Sequence, residues 1–448
     1  MKAVGRVVAS QILRIAELAA DVTGSRHGFP WSDASEPWRL SWASVGRPSF
    51  PMTGEPSRRP AVAHSAKFHK KPFGRETLQK LEIYRQYLRG WLPKFKGGSF
   101  RRIVIIDFFC GPGSDPEGRQ GSPLIAIEEV ERSFMESYGR GVSHVPVQIR
   151  LNDGDASKIA ELNAHLAANT PRPEADLLIT CQDFEVCFRE SLDVLNSADH
   201  PCFAFVDQYG IQGMTPERFR MLVNAPKTDM LCFFASAVVK RFIRQPEIRD
   251  SLQIDPDLVS GVPMKDIHRF VCEHCFRERI PADTEYYVAP FSIMKGHNVY
   301  GLIFGSSSLR GLEAFLEVAW KADDVAGSAN FNIDGEQVFR SDELPFPSGP
   351  TTKMQQFAES LLREIRNGRA TNKTLYRFIL ENGFLPKHGT KILGEFQNDG
   401  RIDVTDISED PPKPARRGSF YISWDRFTER QTKVRFSTRG GRECAPQG

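Results

Sequence analysis

Ile103-Val104-Ile105-Ile106-Asp107-Phe108-Phe109-Cys110-Gly111-Pro112-Gly113 decides how this 448-residue chain is read. An apolar run that ends in an acid and opens into two glycines predicts a buried parallel strand feeding a tight turn free of side chains. Such a turn lets backbone approach a ligand closely, and in doubly wound α/β sheets the ligand crevice lies outside the carboxyl ends of the strands. A dinucleotide fingerprint would need a third glycine two residues on. Here Ser114, Asp115 and Pro116 follow, which disfavours a nicotinamide cofactor.

Working outward, strand patterns at Ile103–Phe109, Val147–Leu151, Asp176–Thr180, Cys202–Val206, Asp229–Phe234, Tyr286–Ala289 and Asn298–Phe304 alternate with helical ones at Pro123–Ser137, Ala156–Ala168 and Pro216–Asn224. Leu309–Ala322 reads as a closing helix. This order implies a parallel sheet covered on both faces, with the last two strands as an antiparallel edge. Ahead of it, Leu78, Leu81, Ile83, Tyr84, Tyr87, Leu88, Trp91 and Leu92 recur at helical spacing, predicting an amphipathic helix against the sheet.

Residues 1–65 are expected to be an extension without a packed core, because Gly, Pro, Ser and Arg crowd Thr23–Pro60. The α/β domain is assigned to 66–340, and the Pro-rich stretch at 341–352 reads as a linker. Beyond it, helical patterns at Met354–Ile365, Asn372–Glu381 and Thr390–Asp399 precede strand patterns at Ile402–Val404 and Ser419–Ser423. Three helices and a two-stranded wing predict a winged helix-turn-helix over 353–430, with 431–448 as a flexible tail.

A hydrophobic fraction of 40% and a charged fraction of 26% are those of a soluble globular chain. No run approaches the roughly 18 apolar residues of a membrane helix, and no signal-type core opens the chain, so a cytoplasmic location is expected. Eight scattered cysteines do not make a disulfide framework. His268, Cys272, His274 and Cys275 lack a second half-site at finger spacing, so no metal is expected there. The net charge of +3 is mild, but residues 353–440 hold 17 Lys/Arg against 11 Asp/Glu. That local excess of six points to nucleic acid.

The string from Ile103 to Gly113 resembles the first motif of S-adenosylmethionine-dependent methyltransferases. The resemblance implies a Rossmann-like class I methyltransferase fold in which Asp107 closes the first strand while Gly111 and Gly113 face the methionine part of the cofactor. Asp153 then stands where such an enzyme keeps an acid for ribose hydroxyls, although Asp153-Gly154-Asp155 is also a good turn and helix start. Asp183 and Phe184 follow the third strand, at the place for an acid beside the adenine amino group and a ring against the base; Asp183 equally suits a helix cap. After the fourth strand, Asp207 is the candidate acceptor for a target amine and Tyr209 the ring that stacks on an extruded base, against a strand-end Asp and a packed Tyr. Cys202 begins that strand, on the side away from the glycine turn, which excludes it as a carbon-methylating nucleophile. In the C-terminal module, Lys387, His388, Thr390 and Lys391 would open the recognition helix. Arg416 and Arg417 in the wing would reach phosphate or the minor groove, unless the module docks protein instead.

The helix from Leu81 to Leu92, the glycine string with Gly121-Ser122-Pro123, Phe205-Val206-Asp207-Gln208-Tyr209-Gly210, and Thr228-Asp229 through Lys240-Arg241 together resemble the three-Cys-motif partner proteins. That bacterial family implies a methyltransferase-like domain over about 66–340, a winged helix after it, and a neighbour-encoded partner with a three-cysteine motif, an iron-sulfur protein. The family has Asp-Pro-Tyr-Gly where this chain has Gln208 for proline, which removes a residue that pre-sets backbone angle. Two functions are therefore expected to compete. One is an S-adenosylmethionine-dependent methyltransferase acting on a base amino group of nucleic acid. The other is a non-catalytic nucleic-acid-binding adaptor that delivers the three-Cys partner in DNA repair or phage-related defence.

Overall fold

The computed structural model describes residues 71–95, 100–141, 145–169, 173–208, 210–211, 213–295, 298–323 and 353–439. All belong to one compact unit, Val62–Gly448. The expected extension (1–65), the linker (341–352) and Tyr209 lie outside the described residues.

The described strands of the main sheet are β1 Ile103–Asp107, β2 Val147–Asn152, β3 Asp176–Thr180, β4 Cys202–Val206, β5 Thr228–Phe234, β6 Tyr287–Lys295 and β7 Asn298–Ser306, in the order 3-2-1-4-5-7-6. β1 pairs in parallel with β2 (Ile105 opposite Ile149) and with β4 (Ile105 opposite Phe203). β7 alone runs antiparallel, between β5 and β6. This is the class I methyltransferase topology. Strand order reverses between β1 and β4, which makes their carboxyl ends the switch point of the sheet, the place where ligands bind in folds of this kind.

Period-two alternation explains how the sheet buries both faces. Ile103 and Ile105, Phe203 and Phe205, and Leu231 face one apolar layer; Val104 and Ile106, Ala204 and Val206, and Met230 and Cys232 face the other. The first layer is closed by α1 Arg75–Trp91, α2 Ser122–Gly139, α3 Ala156–Asn169 and, after β7, Leu309–Ala322. On the second face lie α4 Phe184–Glu190, α5 Leu192–Leu195, α6 Pro216–Val223, α7 Ser236–Phe242, α8 Pro246–Leu252, α9 Pro256–Ser260 and α10 Ile267–Val271. The closing helix Leu309–Ala322 is α11. The foot of α1 is pinned where Tyr87 and the Trp91 indole donate to buried Asp229 at 2.6 and 2.8 Å. Glu129 of α2, fully buried, takes Arg89 of α1 at 2.6 Å, and its arginine partners outweigh burial to hold its carboxyl below the usual range.

The C-terminal module comprises α12 Lys353–Arg366, α13 Asn372–Glu381, α14 Pro386–Asn398, β8 Ile402–Asp406, β9 Lys413–Pro414, α15 Trp424–Thr428 and β10 Val434–Thr438, its sheet ordered β10-β8-β9. It is a winged helix with three departures from expectation. α14 starts four residues before Thr390, because Pro386 sits in its first turn, where a missing N–H costs nothing. Ser419–Ser423 is no strand: Phe420 and Ile422 alternate inward without a ladder partner, and Tyr421 takes φ +53°. The wing's third strand is β10, in the stretch expected to be a flexible tail, with Phe436 opposite Val404. Gly389 is required where α14 crosses α13, since a Cβ there would come within 2.3 Å of Ile379.

The module is not a tethered appendage. Its apolar core is continuous with the first sheet layer. The Trp320 indole of α11 donates to the Gly383 carbonyl at 2.9 Å, and the Tyr376 hydroxyl donates to Glu313 of α11 at 3.0 Å, itself held by Arg310 at 2.6 Å.

Candidate active site at the carboxyl rim

The turn after β1 is built as the sequence implies: Gly111 and Gly113 adopt φ of +67° and +95°, the left-handed region open to glycine. It is, however, buried, and a Cβ on Gly113 would come within 3.0 Å of Leu162. Asn152 ties three strand ends together. Its amide donates to the carbonyls of Phe108 (3.3 Å) and Gln182 (3.1 Å) while its oxygen accepts from the Gln182 amide and the Thr180 hydroxyl.

Asp107 is fully buried. Its Oδ1 accepts from the Phe109 amide at 3.1 Å, and its Oδ2 has no hydrogen-bond partner among the described residues. Burial drives its pKa up to about 7; the Ser122 hydroxyl and the Phe109 amide oppose this, and the charges of Asp207 and Asp153 add to it. A buried carboxyl whose pKa is raised to about 7, at the switch point of the sheet, is a candidate functional group.

Asp207 follows β4 and carries an ion pair with Lys80, the two side chains 22% and 9% exposed. Lys80 comes from α1, which the sequence marks only as cover for the sheet. Its ammonium also lies 4.7 Å from the centre of the Phe233 ring at the end of β5, and Phe233 stacks on Tyr300 with centroids 6.0 Å apart. No local motif could have found Lys80, because it meets Asp207 across 127 residues.

Gln208 resolves the question raised by its lost proline. The side chain is buried; its amide donates to the Phe233 carbonyl at 3.2 Å, and its oxygen accepts from the Met214 amide at 3.0 Å. The side chain thus ties the end of β4 to β5 and to Met214. Gln208→Ala is expected to cost about 1–3 kcal/mol in urea unfolding by stranding buried polar partners, and Gln208→Pro to give no gain.

The structure brings Asp107, Asp207, Gly111, Gly113 and Asp153 to one rim but gives some of them internal partners. Asp153 accepts from the amides of Gly111 (3.1 Å) and Asp155 (2.9 Å) and from Lys158 at 3.3 Å. Asp183 is exposed and caps α4, accepting from the Glu185 amide at 2.9 Å. Phe184 stacks on Phe109, centroids 4.9 Å apart, under the Arg218 guanidinium. Beside Phe184, a cleft of about 520 Å³ between α4, α6 and α8 is lined by Phe188, Arg189, Thr215 and Met221. His268 is no ligand: it is buried between the Ser236 hydroxyl at 2.7 Å and the Leu302 carbonyl at 2.9 Å, with burial holding its pKa down to about 4.

In the winged helix, Lys387, Lys391, Arg416 and Arg417 are exposed, and the Arg417 guanidinium holds Asn398 at the end of α14. His388 turns away from them. It packs 4.1 Å from the Trp320 ring, its Nδ1 accepts from the Leu385 amide at 3.1 Å, and burial, then the charges of Lys387, Lys353 and Lys391, hold its pKa at about 4.

Residues 332–407 match the family model described as a GMT-like wHTH domain, covering α12, α13, α14 and β8 of the C-terminal module. Solved structures similar to this chain include the SAM-dependent methyltransferase from Agrobacterium tumefaciens (9% identity over 51% of this chain and 62% of that one, TM-score 0.31). Others are the Bacillus cereus O-methyltransferase in complex with SAH (16%, 51% and 80%, TM-score 0.28) and P. horikoshii TYW2 in complex with MeSAdo (10%, 53% and 65%, TM-score 0.25). The match spans less than two thirds of the Agrobacterium protein. No curated protein matches the chain. The fold assignment rests on the strand order and not on these likenesses.

Proposed function

We propose that the protein is an S-adenosylmethionine-dependent methyltransferase directed to an amino group on nucleic acid. The supporting observation is the buried Asp107 oxygen left unpartnered at the β1–β4 switch point, an acceptor that suits the ammonium of an amino-acid-like ligand. Asp107 and the Gly111–Gly113 turn would hold the methionine end, and Asp153 the ribose once Lys158 yields it. The cofactor supplies an electrophilic methyl group. Asp207 orients the acceptor amine, and the winged helix grips nucleic acid through Lys387, Lys391, Arg416 and Arg417. On the family resemblance, a three-Cys-motif protein is the proposed partner.

Titration with S-adenosylhomocysteine by calorimetry tests the cofactor. Binding is expected, and no heat at millimolar ligand removes the enzyme reading. Lys387→Ala, Lys391→Ala and Arg417→Ala should each weaken DNA binding and flatten its salt dependence by about one unit of slope. A second reading, the non-catalytic adaptor, draws support from the buried glycine turn and from Lys80 seated on Asp207. Under it, Asp207→Ala leaves partner delivery intact while Lys391→Ala or Arg417→Ala abolishes it.

A further inference from the structure

The ion pair of Lys80 and Asp207 stands out from the other ion pairs of the rim. Arg189–Glu185 joins two turns of one helix and Lys158–Asp153 spans five residues, whereas this one brings an ammonium from α1 onto the acid at the end of β4, 127 residues away. The ammonium also lies 4.7 Å from the centre of the Phe233 ring, which stacks on Tyr300. A carboxylate with a ring beside it is a receptor for an amine: the acid accepts its hydrogens, and the ring's negative face attracts its positive charge. Asp207 remains partly open to solvent.

We propose that Asp207, Phe233 and Tyr300 form an amine-binding site and that Lys80 is its resident occupant, so that an amine ligand enters by displacing the Lys80 ammonium. This deepens the methyltransferase reading, on which its catalytic meaning rests, by adding an occupant that the acceptor nitrogen must replace. The amine is bound by Asp207 and the two rings alone, so binding at the corner can be read without any cofactor. Lys80 is then a gate at the rim, carried on a helix whose other end is pinned to Asp229.

Removing the gate should create a receptor for a free amine. Lys80→Ala is expected to melt several degrees below the wild type. Butylammonium chloride should raise its melting temperature saturably while leaving the wild type unmoved. Neither 1-butanol nor sodium chloride should reproduce the effect, and the Lys80→Ala/Asp207→Ala double variant should not respond. Phe233→Leu in the Lys80→Ala background should weaken the response. Equal stabilisation by 1-butanol marks a plain cavity and overturns the site, as does an unchanged response in the double variant or no response at all. Should Lys80→Ala fail to fold, butylammonium during refolding is expected to restore soluble protein, and failure to do so counts against the proposal equally. The two readings fail separately. Heat with S-adenosylhomocysteine but no ammonium rescue removes only the amine site, and rescue without that heat leaves an amine receptor that transfers no methyl group.

Discussion

Asp107→Asn should be more stable than the wild type at pH 8 to 9, with the advantage gone below about pH 4. The Asp107 pKa is raised from 3.8 to about 7 in the folded chain, chiefly by burial. A folded-state pKa above the unfolded one means that stability is fully present below the unfolded value and is lost as pH rises through the folded value. The wild type therefore weakens between about pH 4 and 7 and stays weakened above, while asparagine carries no such charge. About three units at roughly 1.4 kcal/mol each set a ceiling on the order of 4 kcal/mol. The gain will fall short of that, because the new amide hydrogens need an acceptor in a fully buried place. Urea unfolding of both proteins at pH 5, 7 and 9 measures it; a variant less stable than wild type at pH 9 contradicts the assignment. The same substitution should abolish S-adenosylhomocysteine binding, and wild-type affinity should increase as pH rises through 7 and the carboxylate forms. Stability surrendered at neutral pH for a charged acceptor is the pattern expected of a functional site.

Trp320→Ala should cost about 3–5 kcal/mol, the range for removing a buried large aromatic. The indole is 6% exposed, donates to Gly383 and packs against Phe384 and His388, with the Lys353 ammonium 5.5 Å from its ring centre. These are contacts between the methyltransferase-like body and the winged helix, so the loss should appear as uncoupling. Calorimetry is expected to resolve one transition in the wild type and two in the variant, with protease cleavage freeing a fragment that contains 353–439. A single transition merely shifted downward would show that the joint does not depend on Trp320. Tyr376→Phe, which removes only the hydroxyl bonded to Glu313, should cost about 1 kcal/mol.

The inner parallel strands were legible because burial on both faces forces continuous apolar runs, as in Cys202–Val206, and the edge strand Asp176–Thr180 and the helix Leu309–Ala322 also form with the limits that their pattern implies. The antiparallel β6–β7 edge and all three winged-helix helices were also visible. The wing was not. Phe420 and Ile422 imitate a strand by alternating inward in an unpaired segment, while β10 lies in a charged stretch whose local pattern gives no reason to expect pairing with β8. At the rim, Asp107 and Asp207 could be placed by their position at strand ends. The distant partners that surround them could not: Lys80 on Asp207, and Phe233 under the Gln208 amide. Each depends on side chains converging in space, and only the backbone frame of such a site is written in local sequence.

Because α13 and α14 share one apolar interior with α11 and the sheet, a nucleic acid bound on α14 as proposed would be held at a set bearing to Asp207. Reach is then a constant of the molecule, so a modified position would fall a fixed number of nucleotides from the gripped element, as on a ruler, and lengthening the chain between α11 and α12 would leave that interval unchanged.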